Sequence, residues 1–81
     1  MNYNEKAINF FGEEIVEKIE IQHQDGYPEH YERINYNQWQ FGSTGEYIVP
    51  FEDKKYKVIV QDNVLKSPLY INVITNWEEV Y

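Results

Sequence analysis

The residues best suited to chemistry lie between positions 23 and 32, where His23, Asp25, Glu29, His30 and Glu32 are interleaved with Gly26, Tyr27 and Tyr31. Imidazole and carboxylate groups ligate divalent ions and exchange protons near neutral pH. Asp25-Gly26-Tyr27-Pro28 has the composition of a turn, because Gly and Pro supply the backbone angles a reversal needs. A hairpin through it sets Gln24 opposite Glu29 and His23 opposite His30. It also sets Glu20 opposite Arg33 and Ile19 opposite Ile34. Two facing histidines with carboxylates beside them could hold Zn²⁺ or an acid–base pair. The competing reading is a polar hairpin tip with two solvated histidines. The second is expected, since neither the surrounding residues nor a pocket signal completes a site. No metal and no cofactor are assigned.

The rest of the catalytic search is thin. The chain has no cysteine, so thiol catalysis and thiolate zinc sites are excluded. No serine sits in a nucleophile elbow, and Gly42 and Gly45 do not open a helix with a phosphate-binding lysine. A domain of 81 residues has little room for a deep pocket. The chain is expected not to be an enzyme.

Charge is more informative. Residues 1–32 contain eight acids (Glu5, Glu13, Glu14, Glu17, Glu20, Asp25, Glu29 and Glu32) against Lys6 and Lys18. The remaining residues are nearly balanced, although the whole chain carries −7. The acidic surplus therefore belongs to the first element and the segment after it. Such a face suits a basic partner and repels nucleic acid and anionic membranes. Carboxylates at helical or strand spacing can stand in for a row of phosphates. The alternative is a solvated face that keeps a small protein soluble.

Aromatics are the second candidate for binding. There are eight tyrosines, four phenylalanines and two tryptophans. Tyr27, Tyr31, Tyr36, Trp39, Trp77 and Tyr81 are too many for one small core, so some should reach the surface as interface anchors. The alternative is that they are half-buried strand filler. The stretch from Asn35 to Gln40 also has the aromatic and amide chemistry of a sugar-binding face.

These side chains need a scaffold. A chain of this length forms one domain, residues 1–81, burying roughly 60–65% of its unfolded surface. Its aromatic content argues against disorder. It lacks a signal-peptide pattern and an apolar run of membrane-spanning length, so the cytoplasm is expected. Asn, Ile, Lys, Tyr and Glu are abundant, the usage of an AT-rich genome such as a low-GC bacterium, its phages or its plasmids.

Ala7, Phe11, Ile15 and Ile19 recur at four-residue spacing, which predicts a helix over residues 4–16 with Asn4 as N-cap. A hairpin turning at Gly12 is the alternative. From residue 17 the pattern (Ile19, Ile21) reads as a strand. The next strand runs towards Trp39 and Phe41, with a bulge near residues 35–37 where apolar parity switches. Gly42-Ser43-Thr44-Gly45 reads as a turn. Residues 46–51 and 56–61 form the central hairpin around residues 52–55, with Val49 opposite Val58, Ile48 opposite Ile59 and Phe51 opposite Tyr56. Pro50 marks an edge or bulge. Residues 62–68 read as a loop and 69–75 as the last strand, with Leu69, Ile71 and Val73 on one face. Asn76-Trp77-Glu78-Glu79 resembles a helix start.

The expected fold is α+β, an N-terminal helix on an antiparallel meander of four to five strands, with an all-β meander as the alternative. The expected function is an inhibitor or regulator that covers a basic, nucleic-acid-binding surface of another protein, as phage-encoded anti-defence inhibitors and nuclease immunity proteins do. The residues expected to meet it are Glu13, Glu14, Glu17, Glu20, Asp25, Glu29, Glu32, Tyr27, Tyr31 and Trp39. The alternative is a structural subunit of a multiprotein, phage-like assembly, with a homodimer as one form.

Overall fold

The structure, a computed structural model, describes residues 4–27, 29–63 and 72–80. The described residues form an α+β fold. Two consecutive helices, α1 (Glu5–Phe11) and α2 (Glu13–Asp25), precede four strands. These are β1 (Glu32–Trp39), β2 (Gly42–Phe51), β3 (Lys54–Asn63) and β4 (Asn72–Val80), an antiparallel meander in the order β1-β2-β3-β4. The all-β alternative does not hold.

The helical segment is longer than its apolar pattern predicted. Val16, Ile19, Gln22 and His23 are the buried residues of α2, a spacing of three and four that only a helix places on one side. The strand expected from residue 17 does not form, and Ile21 lies on the exposed side. Gly12 separates the helices at φ 95° and Gly26 ends α2 at φ 72°, in the left-handed region where glycine carries no Cβ penalty. The turn-forming residues after Gln24 therefore stop a helix instead of closing a hairpin. The expected pairs Gln24–Glu29, His23–His30, Glu20–Arg33 and Ile19–Ile34 do not exist.

Asn4 stands at the N-cap position but makes no capping bond. Its amide instead donates to the Asn72 carbonyl at 3.0 Å, and its Oδ1 accepts from the Ile74 N–H at 2.8 Å. The start of α1 is thereby tied to β4, nearly the whole chain away.

Strand registers follow short turns. Gln40 and Phe41 connect β1 to β2, with Trp39 paired to Gly42. The stretch from Gly42 to Gly45 is strand, not turn. Glu52 and Asp53, at φ 49° and 65°, form a two-residue turn between β2 and β3. Two successive left-handed residues match the twist of a hairpin. This shorter turn sets Val49 opposite Tyr56, Ile48 opposite Lys57 and Phe51 opposite Lys54. The register expected from a four-residue turn is thus displaced by two, so every side chain keeps its face.

The β1 bulge falls between Arg33 and Asn35, just before the expected position. Pro50 lies beyond Ile48, where the described β1 pairing ends, so its missing N–H meets no neighbour on that side. In β4 the buried residues are Asn72 and Ile74, and the strand continues through Trp77 to Val80 without a helical turn. The expected loop at 62–68 and strand start at 69–71 lie largely outside the described residues.

The helices cover one face of the sheet. Ala7, Phe11, Val16 and Ile19 pack against Tyr47, Val49, Val58, Val60 and Ile74, all nearly inaccessible. At the α1 end, Phe10 and Phe11 close the core against Phe51, Tyr56 and Trp77, with ring centroids 5.3–5.6 Å apart between helix and sheet. Edge-on and tilted ring pairs of this kind add about 0.5–1.5 kcal/mol each beyond area burial. The opposite face of the sheet mixes Trp39, Ile48 and Ile59 with charged and amide side chains. Lys57 bridges Glu46 at 3.7 Å and Glu78 at 3.0 Å, and Asn35 donates to Glu46 at 2.7 Å.

Candidate functional site

The acidic residues converge on α2 and the segment that follows it. With Val16, Ile19, Gln22 and His23 turned to the sheet, helical geometry directs Glu13, Glu14, Glu17 and Asp25 to solvent, and all four are exposed. Glu13, Glu17 and Glu20 follow one another at four- and three-residue spacing, about one turn apart. Glu20 is half-buried, and its carboxyl is pushed above the usual carboxylate range by burial, with Glu17 adding repulsion. Lys18 is the one base in α2 and pairs with Glu14 at 3.4 Å. Ile21 sits amid these carboxylates, 37% exposed.

Helix electrostatics separates two groups of acids. Glu13 and Glu14 lie in the first turn, where the helix dipole stabilises negative charge. Their presence needs no partner. Asp25 lies at the opposite end, where the dipole disfavours it by about 0.3–1 kcal/mol. The only residue of basic type in that last turn is His23, which is buried. Asp25 therefore makes the helix less stable than a neutral residue would. Asp25→Asn is expected to raise the melting temperature by a few degrees, on the order of 2–6 °C for a chain this size, measured by thermal circular dichroism.

Gln22 fixes the segment after the helix. Its buried amide donates to the Tyr31 carbonyl at 2.8 Å and accepts from the N–H groups of His30 and Tyr31 at 3.0 and 2.9 Å. This clamp brings Glu29 and Glu32 beside the C-terminus of α2, where they line a shallow cleft of about 300 Å³ with Gly26, Tyr31 and Arg33. Tyr31 is half-buried against the core, whereas Tyr27 is 80% exposed.

The histidines do not face each other. His30 is exposed after the helix. His23 is buried in α2, its Nδ1 2.8 Å from Tyr47 Oη and its Nε2 3.0 Å from Ser43 Oγ. Burial pushes its pKa below the usual 6.5, opposed by Asp62 and reinforced by Arg33. Neutral imidazole suits this site, since one ring nitrogen donates and the other accepts. Gly45 makes the space: a Cβ there would meet His23 Nδ1 and Tyr47 Oη at 2.8 Å.

The lowered value has a pH consequence. The unfolded chain takes up the proton first, so His23 contributes stability that is full above about pH 6.5 and is lost as pH falls through the folded value. Denaturant titrations near pH 7 and pH 5 are expected to show a smaller loss in His23→Gln than in the parent, because glutamine keeps a donor and an acceptor without titrating.

Of the residues expected to form a site, Glu13, Glu14, Glu17, Glu20 and Asp25 share α2, and Glu29, Tyr31 and Glu32 join them through the Gln22 clamp. Tyr27 projects from the connection. Trp39 is 37% exposed at the β1–β2 hairpin, where it lines a second cleft with His23 and Gln24 of the last helical turn. Sequence reasoning missed Ile21, which was assigned to a strand, and Gln22, and it placed His23 at a polar hairpin tip because an apolar count does not register the burial of either polar residue. The spacing Val16-Ile19-Gln22-His23 was the available signal. Comparison of the chain with known families, with curated proteins and with solved structures finds no match. No helix among the described residues is long and apolar enough to cross a membrane.

Proposed function

We propose that this protein is a cytoplasmic inhibitor or regulator that binds a basic, nucleic-acid-binding surface of a partner protein through the exposed face of α2 and the segment carrying Glu29 and Glu32. The observation that carries the reading is Asp25, an acid kept where the helix dipole opposes it, on the same exposed face as Glu13, Glu14 and Glu17. Solubility alone would not require acids at that end of the helix. Ile21 at the centre of the face offers the apolar contact that a charged rim surrounds in protein interfaces. Electrostatic steering speeds encounter, and the apolar centre slows release.

The test is competition. A partner captured on the immobilised protein should be released by duplex DNA or by heparin, because both would occupy the same basic groove. A stable ternary complex of partner, nucleic acid and this protein would contradict occlusion.

A second reading, a subunit of a larger phage-like assembly or a homodimer, rests on β1. All eight of its residues are exposed and it is an edge of the sheet, the position that accepts an added strand. The bulge at Ile34 works against this by twisting the edge away from a flat partner. Concentration-dependent self-association in sedimentation would favour the second reading.

A further inference from the structure

The sheet face that the helices leave uncovered is divided by charge. Towards the β2–β3 turn, register sets Glu32, Ile48, Lys57 and Glu78 side by side, and Lys57 draws Glu46 and Glu78 into one ionic network. Beyond Glu46, towards the β1–β2 hairpin, two rows are neutral. Asn37, Thr44, Gln61 and Val73 stand side by side across the four strands, and Trp39 stands opposite Gly42. Strand alternation therefore splits the stretch that has the composition of a sugar-binding face. Asn35, Asn37 and Trp39 belong to the uncovered face, while Tyr36 and Gln38, paired with Gly45 and Ser43, belong to the helix side. Trp39 is 37% exposed, and Gly42 beside it has no side chain to cover the indole. Asn37 is exposed, and Thr44 and Gln61 are half-buried. Asn35 spends its amide on Glu46, whereas among the described residues no side-chain hydrogen bond engages Asn37, Thr44 or Gln61.

We propose that these two rows bind a neutral glycan, one pyranose ring laid on the Trp39 indole and its hydroxyl groups bonded to Asn37, Thr44 and Gln61. An indole offers a broad, flat apolar surface, and one face of a pyranose presents C–H groups to meet it. Sugar hydroxyls donate and accept together, and so do side-chain amides and the threonine hydroxyl. Neighbours across strands lie about 5 Å apart and alternate residues along a strand about 7 Å apart, so the indole and the polar groups fall within the span of one or two sugar rings. Charge decides between ligand classes. The chain carries −7, which repels phosphate- and carboxylate-bearing ligands, and the two rows hold no carboxylate to select a cation. A flat face suits a chain of sugars lying across it. The site is on the side of the sheet away from α2, so it stands independently of the acidic-face reading.

Cellohexaose, maltohexaose and chitohexaose, three neutral glycans of different linkage and substituent, are titrated into the isotope-labelled protein and followed by NMR. At least one is expected to give saturable shifts at the Trp39 indole N–H and at the Asn37 and Gln61 side-chain amides, with a Kd on the order of 0.1–1 mM. In calorimetry with that glycan, Trp39→Ala should weaken binding at least about tenfold, and Asn37→Ala and Gln61→Ala at least about threefold each. Gln38→Ala, on the helix side, should leave the affinity unchanged. Near-parent thermal unfolding is the folding control, and the exposed Asn37 supplies a variant that tests the site even where Trp39→Ala fails to fold. Absence of shifts at these groups with all three glycans at about 10 mM, shifts centred on Tyr36 and Gln38, or an affinity that survives Trp39→Ala and Asn37→Ala overturns the proposal. Trp39 shifts that grow with protein concentration in the absence of sugar would give this face to a second copy of the chain and overturn it equally.

Discussion

Replacing Gly45 by alanine will remove about 2–4 kcal/mol of folding stability, a large fraction of what a small domain holds. The added Cβ would lie 2.8 Å from His23 Nδ1, 2.8 Å from Tyr47 Oη and 2.9 Å from Tyr47 Cε2. Neither neighbour is the loose end of a flexible chain. Tyr47 is fully buried and His23 nearly so, and they are bonded to each other at 2.8 Å. Making room means parting that bond or lifting the last turn of α2 off the sheet. Overpacking costs about 1–3 kcal/mol, and leaving a buried polar group unsatisfied costs a similar about 1–3 kcal/mol. The expected fall in melting temperature is on the order of 10–25 °C. Calorimetry of Gly45→Ala checks it. Tyr47→Phe clears one of the three close contacts, so Gly45→Ala should cost less in that background than in the parent. Additive losses would mean that the hydroxyl is not what the new methyl meets.

The second large effect concerns binding. Glu13→Lys, Glu14→Lys and Glu17→Lys together reverse three charges on the exposed face of α2. Association with the basic partner is expected to slow by at least about tenfold at low salt, within the 10–1,000-fold range of steered encounters. Dissociation should change less, because Ile21 and the two clefts are untouched. Stopped-flow association kinetics separates the two rates. The helix itself will weaken modestly. Glu13 and Glu14 lose their place at the positive end of the dipole, each worth about 0.3–1 kcal/mol, and the Glu14–Lys18 pair at 3.4 Å becomes a like-charge contact. Circular dichroism at the assay temperature confirms that the fold survives.

These expectations depend on features that differ in how far the chain reveals them. The α+β class and the central β2–β3 hairpin were legible because apolar residues repeat at four on Ala7, Phe11, Ile15 and Ile19, and at two through β2 and β3. The acidity of α2 was legible from counting. The extent of the helix was not. Ile19 and Ile21 imitate strand alternation, while the residues that complete the buried stripe, Gln22 and His23, are polar. Their burial depends on Tyr47, Ser43 and the backbone of residues 30 and 31, partners distant in sequence. The turns misled for a related reason. Gly42 and Gly45 looked like turn residues, but Gly45 is small to admit His23. The real reversals use Gln40-Phe41 and Glu52-Asp53, where non-glycine residues take the bend because paired strands on both sides hold them there. Asn4 was read as a cap from its type and position, and tertiary pairing with β4 claimed its side chain instead.

Asp25 shows how structure sharpened the functional reading. In a hairpin tip it would be one more solvated acid. At the end of α2 it opposes the dipole, so Asp25→Asn should stabilise the fold while weakening partner binding. Opposite signs in those two measurements are what separate a binding residue from a structural one.

The most direct test of the acidic-face account is the association rate with the captured partner measured as ionic strength is raised. At about 0.1 M salt the screening length is roughly 10 Å, and it shortens to roughly 3 Å near 1 M. The rate is predicted to fall at least about tenfold across that range and to fall far less for the triple lysine variant. An association rate that stays constant from low to high salt would contradict the account.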